Sequence, residues 1–246
     1  MNAQVLSVQL SDSGWWDRRM REDRARAERN QTAAQRAVTE TVLARALELG
    51  AESFALTGST ARRRRTASSD LDYHVIGRRP DVSDLPGDID IVATSAARFY
   101  RQLMDGDDFA QWTLRHGCIL HDTGPMRDGL RLIVEKQIWP TADRKLDALA
   151  DHRREVERLL RMGDRDAAQE QIRAMLTTAA RGLLLGAGVF PLARRELPGQ
   201  LQSAGYASLA PRLDDVIHGT PELAALAAAL PILDHALSNS HVSPAA

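Results

Sequence analysis

The chain has 246 residues, 43% hydrophobic and 26% charged, with 32 Lys and Arg set against 33 Asp and Glu for a net charge of −1. That is apolar material enough for one large domain or two small ones. The even balance supplies no global attraction to nucleic acid, so any polyanion site has to be local. A single cysteine, Cys118, excludes an internal disulfide framework and a cysteine-rich zinc site. With no basic-then-apolar start between Met1 and Trp16 and no apolar run of roughly 18 residues, a cytoplasmic protein without a membrane segment is expected.

From Trp16 to Leu49 the pattern predicts helix, with Val38, Val42, Leu43, Ala46 and Leu47 on one face and Gly50 as the stop. The apolar run Ser53 to Thr57 and the alternating run Leu71 to Ile76 read as two strands flanking Gly58-Ser59-Thr60 and an arginine-rich segment. Gly77 to Gly87, rich in Pro, Gly and Asp, reads as a loop leading into a third strand, Ile89 to Val92, and Ile119 and Leu120 as a short further strand. Helices are expected over Ala96 to Met104 and over Asp108 to His116, the latter opened by the acidic pair Asp107 and Asp108.

After Pro140 only helical spacing remains, with Ile172, Met175, Leu176, Ala179 and Leu183 as the clearest stripe. Pro191, Pro198, Pro211, Pro221 and Pro231 divide that third into short helices, and the Ala-rich run Leu223 to Leu230 fits close helix packing. The expectation is an α+β domain over residues 1–140, a mixed sheet with flanking helices, followed by an all-α helical bundle domain over residues 141–246.

The chemistry concentrates between Thr57 and Ile91. Asp70 and Asp72 stand two apart on a strand, so both carboxylates leave the same face, where they repel unless a cation joins them. Oxygen-only ligands suit Mg²⁺, which takes one or two protein carboxylates together with substrate phosphates and water. Gly58 lets the backbone approach a phosphate, and Ser59 offers it a donor. Asp90, on the third strand, completes three carboxylates on one sheet face, the donor set of a two-metal phosphoryl transfer in which one group takes the proton of the attacking hydroxyl. Asp88 has the same parity and competes for that place; Asp90 is preferred because Ile89 and Ile91 flank it.

Gly58-Ser59, the phrase Ser69-Asp70-Leu71-Asp72 and the triplet Ile89-Asp90-Ile91 resemble the active-site signature of nucleotidyltransferases of the DNA polymerase β superfamily. The short chain and helical tail resemble its minimal and antibiotic-modifying members, and Gly106 to Asp122 is similar to a segment that follows their catalytic strands. The resemblance implies the polymerase β-type fold, Gly58 and Ser59 on nucleotide phosphates, and Asp70, Asp72 and Asp90 as the carboxylates that hold two Mg²⁺ ions. It implies transfer of a nucleoside monophosphate from an NTP, ATP by default, to an acceptor hydroxyl on a small molecule such as an aminoglycoside, or on a protein or tRNA. A homodimer fits such an enzyme, since small members often build their cleft between subunits. A different class of reading is an antitoxin-like or nucleotide-binding interaction module that works without catalysis.

Other residues weigh less. Arg62, Arg63, Arg64 and Arg65 sit where one or two of them, Arg62 first, would meet phosphate, against the plain reading of a solvated loop. Lys136 would neutralise the nucleotide tail with Glu135 as a base, against the plain reading of surface residues. His74 is expected to pack near the sheet, Ser68 and Ser69 to shape a turn, and Cys118 to lack a base partner. Trp112 and Trp139 are expected in the core, with nothing to single out either one for stacking on a base.

Overall fold

The computed structural model describes residues 14–63 and 70–218, together with Asp234 and Ser238. The chain forms two compact units that divide between Pro140 and Thr141.

Among the described residues the first unit begins with two helices where the sequence predicts one: α1 (Trp15–Asn30) and α2 (Ala33–Glu48). The break has a local cause. Thr32 caps α2, its hydroxyl accepting from the Gln35 N–H at 3.2 Å while the Gln35 side chain accepts from the Thr32 N–H at 3.0 Å. The polar residues at the break are also bound to the body of the unit. Asn30 Nδ2 donates to the Ala61 carbonyl at 3.0 Å, and Gln31 Nε2 donates to Thr39 Oγ1 at 2.6 Å, which in turn meets the Tyr73 hydroxyl at 2.7 Å. Gly50 follows α2 at φ +75°, the stop that the sequence predicts.

Four strands follow among helices: β1 (Ser53–Leu56), α3 (Gly58–Ala61), β2 (Leu71–Ile76), β3 (Ile89–Thr94), α4 (Ala96–Met104), α5 (Asp108–His116), β4 (Cys118–Asp122) and α6 (Pro125–Glu135). They form a mixed sheet in the order β3-β2-β1-β4, in which β1 is antiparallel to both β2 and β4, and β3 runs parallel to β2. One face carries Ala55, Ile76 and Ile119 against Phe99 and Leu103 of α4, Ala110 and Leu114 of α5, and Met126, Leu130 and Ile133 of α6, with Trp15 and Trp16 alongside. On the other face the Phe54 and Tyr73 rings lie 5.1 Å apart, and Thr39 of α2 reaches the tyrosine hydroxyl. The segment between β2 and β3 is tied to α2 by Arg45, whose guanidinium holds both Asp84 oxygens at 2.6 and 2.8 Å and the Asp81 carbonyl at 2.8 Å.

In the second unit the described elements are α7 (Ala142–Met162), α8 (Arg165–Gly186), a 3-10 turn (Arg194–Glu196), α9 (Leu197–Ser203) and α10 (Ala210–His218). Gly163 in the left-handed conformation ends α7, and Asp164 caps α8 by accepting from the Ala167 N–H at 3.1 Å. The stripe Ile172, Met175, Leu176, Ala179 and Leu183 is buried in one cluster with Leu197, Leu201 and Leu213. Pro198 stands in the first turn of α9 and Pro211 in that of α10, where a missing N–H costs no helical bond. Pro221, Pro231 and the run Leu223 to Leu230 lie outside the described residues. No described helix is long and apolar enough to cross a membrane.

Candidate active site

β2 alternates between two environments. Leu71, Tyr73 and Val75 are buried on the α2 side, while Asp72, His74 and Ile76 share the side of α4 and α5. His74 and Ile76 are covered; Asp72, nearer the end of the strand, is half-buried. Across the parallel pair the register partner of Asp72 is Asp90. Paired residues of neighbouring strands point the same way at roughly 4.8 Å spacing, so the two carboxylates leave one face side by side. Asp70 precedes the strand with the same parity. The result is electrostatic: burial, then the negative charges of Asp70 and Asp90, push the Asp72 carboxyl up to about 6. Asp88 has a different part, its carbonyl accepting the Leu71 N–H at 2.9 Å where β2 and β3 begin to pair.

Gly58 is placed on top of this group. The Thr57 N–H donates to the Asp72 carbonyl at 2.8 Å, which pins the end of β1 to the strand that carries the carboxylates. Gly58 then turns at φ +63°, and a Cβ on it would stand 1.7 Å from Asp72 Oδ2. Only glycine lets the backbone approach that carboxylate so closely. Ser59 follows, half-buried, in the single turn of α3, whose buried end at Ala61 is held by Asn30.

Among the described residues no three His, Cys, Asp or Glu side chains close into a metal cage. The donors at this end of the sheet are nevertheless all oxygen, and the mutual repulsion that Asp72 registers is what a divalent cation relieves. An open set of one or two carboxylates is the kind of protein ligand that Mg²⁺ takes when phosphates and water fill the remaining positions. The residues therefore fit that ion.

Arg62 caps the end of α3, half-buried, and its charge is felt at His116. Arg64, Arg65, Ser68 and Ser69 lie outside the described residues. Glu135 and Lys136 stand at the exposed end of α6, and no described contact joins either to the carboxylates. His74 packs on the Phe99 and Phe109 rings, its Nδ1 is 2.9 Å from Thr113 Oγ1, and burial pushes it down to about 4. Cys118 is buried, and that burial raises its thiol. Trp112 is in the core as expected. Trp139 is not: the residue is 39% exposed, with the Arg115 guanidinium 5.6 Å from its ring centroid.

Several supporting residues escape a sequence reading. Asp23, in the charged part of α1, is 5% exposed and accepts the Ile119 N–H of β4 at 3.0 Å as well as Arg26 at 2.8 Å and Arg19 at 3.5 Å. Arg26 continues to the Gly117 carbonyl at 2.6 Å, and Arg19 to the Leu114 carbonyl. Burial raises the Asp23 carboxyl and lowers Arg19, so desolvation outweighs the pairing for both partners. The only trace in the sequence is the spacing Arg19, Asp23, Arg26 on one helix face, which any solvated helix also shows. Asn30 and Thr57 act through single bonds to the α3 turn and to Asp72, and they leave no pattern at all.

No family model matches the chain, and no curated protein does. Among solved structures the chain is similar to a nucleotidyltransferase-like protein from Exiguobacterium sibiricum, at 16% identity and a TM-score of 0.39, over 82% of this chain and 74% of that one.

Proposed function

We propose that the chain is a Mg²⁺-dependent nucleotidyltransferase that moves a nucleoside monophosphate from an NTP to an acceptor hydroxyl. The observation that carries this reading is the stack of Gly58 on Asp72 with Asp90 as the register partner of Asp72. A glycine turn and register-paired carboxylates thereby share one end of one sheet. In the reaction the acceptor oxygen forms a bond to the α-phosphorus, the bond from that phosphorus to the bridging oxygen of the β-phosphate breaks, and pyrophosphate leaves. Asp70 and Asp72 would hold the ion, which when bound supplies positive charge against the phosphate oxygens. The Gly58-Ser59 turn positions the triphosphate, and Asp90, the more open of the register partners, accepts the proton of the attacking hydroxyl. ATP is the default donor, and the acceptor is a hydroxylated small molecule, an aminoglycoside for example, or a protein or tRNA hydroxyl.

The test is to incubate the full chain with labelled NTPs, Mg²⁺ and acceptors of each class and to compare Asp70→Ala and Asp72→Ala. Labelled acceptor that requires Mg²⁺ and disappears in both variants is the expected result. Binding of NTP without transfer to any acceptor would instead support the interaction-module reading.

A further inference from the structure

Two consecutive residues at the break between α1 and α2 reach both halves of the candidate site. Asn30 Nδ2 donates at 3.0 Å to the carbonyl of Ala61, the last residue of the single turn that begins with Gly58. Gln31 Nε2 donates to Thr39 Oγ1 at 2.6 Å, and that oxygen is 2.7 Å from the Tyr73 hydroxyl, on the strand that carries Asp72. All four side chains are buried. The turn needs such an anchor, because four helical residues close too few bonds to hold themselves. Besides Asn30, the described contact on the Ala61 carbonyl is the Cys118 thiol at 3.9 Å, a weak donor. Tyr73 is the register partner of Leu56, from which the chain enters Thr57 and Gly58, and it directly follows Asp72. Side chains alternate along a strand, so Tyr73 is gripped from the α2 side while Asp72 leaves the opposite face. The break itself makes this possible: Gln31 is extended at φ −108° and ψ 150°, and Thr32 starts α2 afresh.

We propose that Asn30 and Gln31, acting with Thr39 and Tyr73, are positioning residues that hold the Gly58-Ser59 turn and the Asp72 strand at the mutual placement nucleotidyl transfer needs. The assignment rests on the nucleotidyl-transfer reading of the carboxylates. The hydrogen-bonding groups of the four meet one another or a backbone carbonyl, so they act through the turn and the strand. With either bond lost, the turn still meets phosphate and the carboxylates still meet the ion, and ground-state binding survives. What goes is the alignment of the two, on which the transition state depends. The loss therefore falls on kcat and leaves KM in place.

The experiment is steady-state kinetics of the full chain with the four labelled NTPs, Mg²⁺ and three acceptors, an aminoglycoside, bulk tRNA and protein, beside thermal denaturation of each variant. Thr39→Val keeps the shape of the side chain and removes the hydroxyl that Gln31 and Tyr73 share. Its kcat is expected to fall roughly 10- to 100-fold, the order that a misplacement of about 1 Å costs, with KM for the NTP near the wild-type value. Thr39→Ser keeps the oxygen and is expected to recover kcat. Tyr73→Phe and Asn30→Leu should repeat the kcat loss from the strand and from the turn. Should Thr39→Val or Asn30→Leu fail to fold, Tyr73→Phe, which lacks only one oxygen, still decides. Wild-type kcat in the folded variants, whatever their Tm or KM, overturns the positioning role and leaves the nucleotidyl-transfer reading standing. A wild type that labels none of the three acceptors overturns that reading, and this assignment with it.

Discussion

The carboxylate of Asp72 occupies the volume that a side chain on Gly58 would fill: a Cβ there would stand 1.7 Å from Oδ2. A methyl group at residue 58 therefore has to displace Asp72 or the turn itself. Gly58→Ala also places an L-residue at φ +63°, which costs about 1–2 kcal/mol. Urea denaturation should register a loss of that size or larger. Nucleotidyl transfer should fall far more than stability does, and equal losses in the two would mean that the turn is only structural.

Asp90→Asn and Asp88→Asn separate the two acidic residues of the third strand region. Asp90 is in register with Asp72 and raises its pKa, whereas Asp88 contributes a carbonyl to strand pairing. Loss of a group that takes a proton in the reaction costs about 10²- to 10⁴-fold in rate. Transfer assays should show that loss for Asp90→Asn and near wild-type rates for Asp88→Asn.

Asp72 makes a pH prediction whose sign is opposite to that of an ordinary paired carboxylate. Its folded value, about 6, is above the unfolded value of 3.8, so the folded chain binds more protons between those limits. Stability from this group is complete below the unfolded value and lost as pH rises through about 6. In Mg²⁺-free buffer Asp72→Asn should therefore be more stable than wild type above pH 6, with the difference closing as pH falls toward 4. Added Mg²⁺ should raise the wild-type Tm at pH 7 and leave that of Asp72→Asn unchanged.

His74 titrates in the other direction, held near 4 by burial. It is neutral in the folded chain and takes up a proton only on unfolding below its ordinary value of 6.5, so its contribution is lost as pH falls from 6.5 toward 4. His74→Phe should remove that acid-sensitive part of the denaturation profile.

Asp23→Ala would strand Arg19, Arg26 and the Ile119 N–H around an emptied buried position. Breaking such a buried network from one side costs about 3–5 kcal/mol. Denaturation should show the loss, and hydrogen exchange should show the Ile119 amide losing its protection first.

Much of the sheet was readable because Leu71 to Val75 and Ile89 to Ile91 alternate apolar with polar residues, even though β2 is covered on both faces beyond Asp72, and because Gly50 and the Asp107–Asp108 pair mark helix ends by their own chemistry. Thr32 was readable in principle, since Thr-x-x-Gln is a capping box, yet the strong helical pattern on both sides of it hides the break. Gly58, Asp72 and Asp90 could be named from spacing alone; their register and the close approach of Gly58 to Asp72 could not, because these depend on strand pairing. Trp139 was misplaced for a related reason. A tryptophan's apolar bulk predicts burial, but a guanidinium from α5 covers one face of this ring in place of core. Asp23 is the reverse case, a charged residue whose burial is decided by a strand almost a hundred residues further along the chain.

Among the described strands β3 has a neighbour on one side only, at the end of the order β3-β2-β1-β4. Edges of this kind recruit strands from other molecules, and a charged side chain on them is a recognised deterrent. Asp90 stands exposed on that edge in a stretch that is otherwise Ile, Ile, Val and Ala. On the proposed nucleotidyl-transfer reading the same charge has a second use, discouraging one molecule's sheet from continuing into the next, and exchanging it for an apolar residue is expected to lower turnover and promote aggregation together.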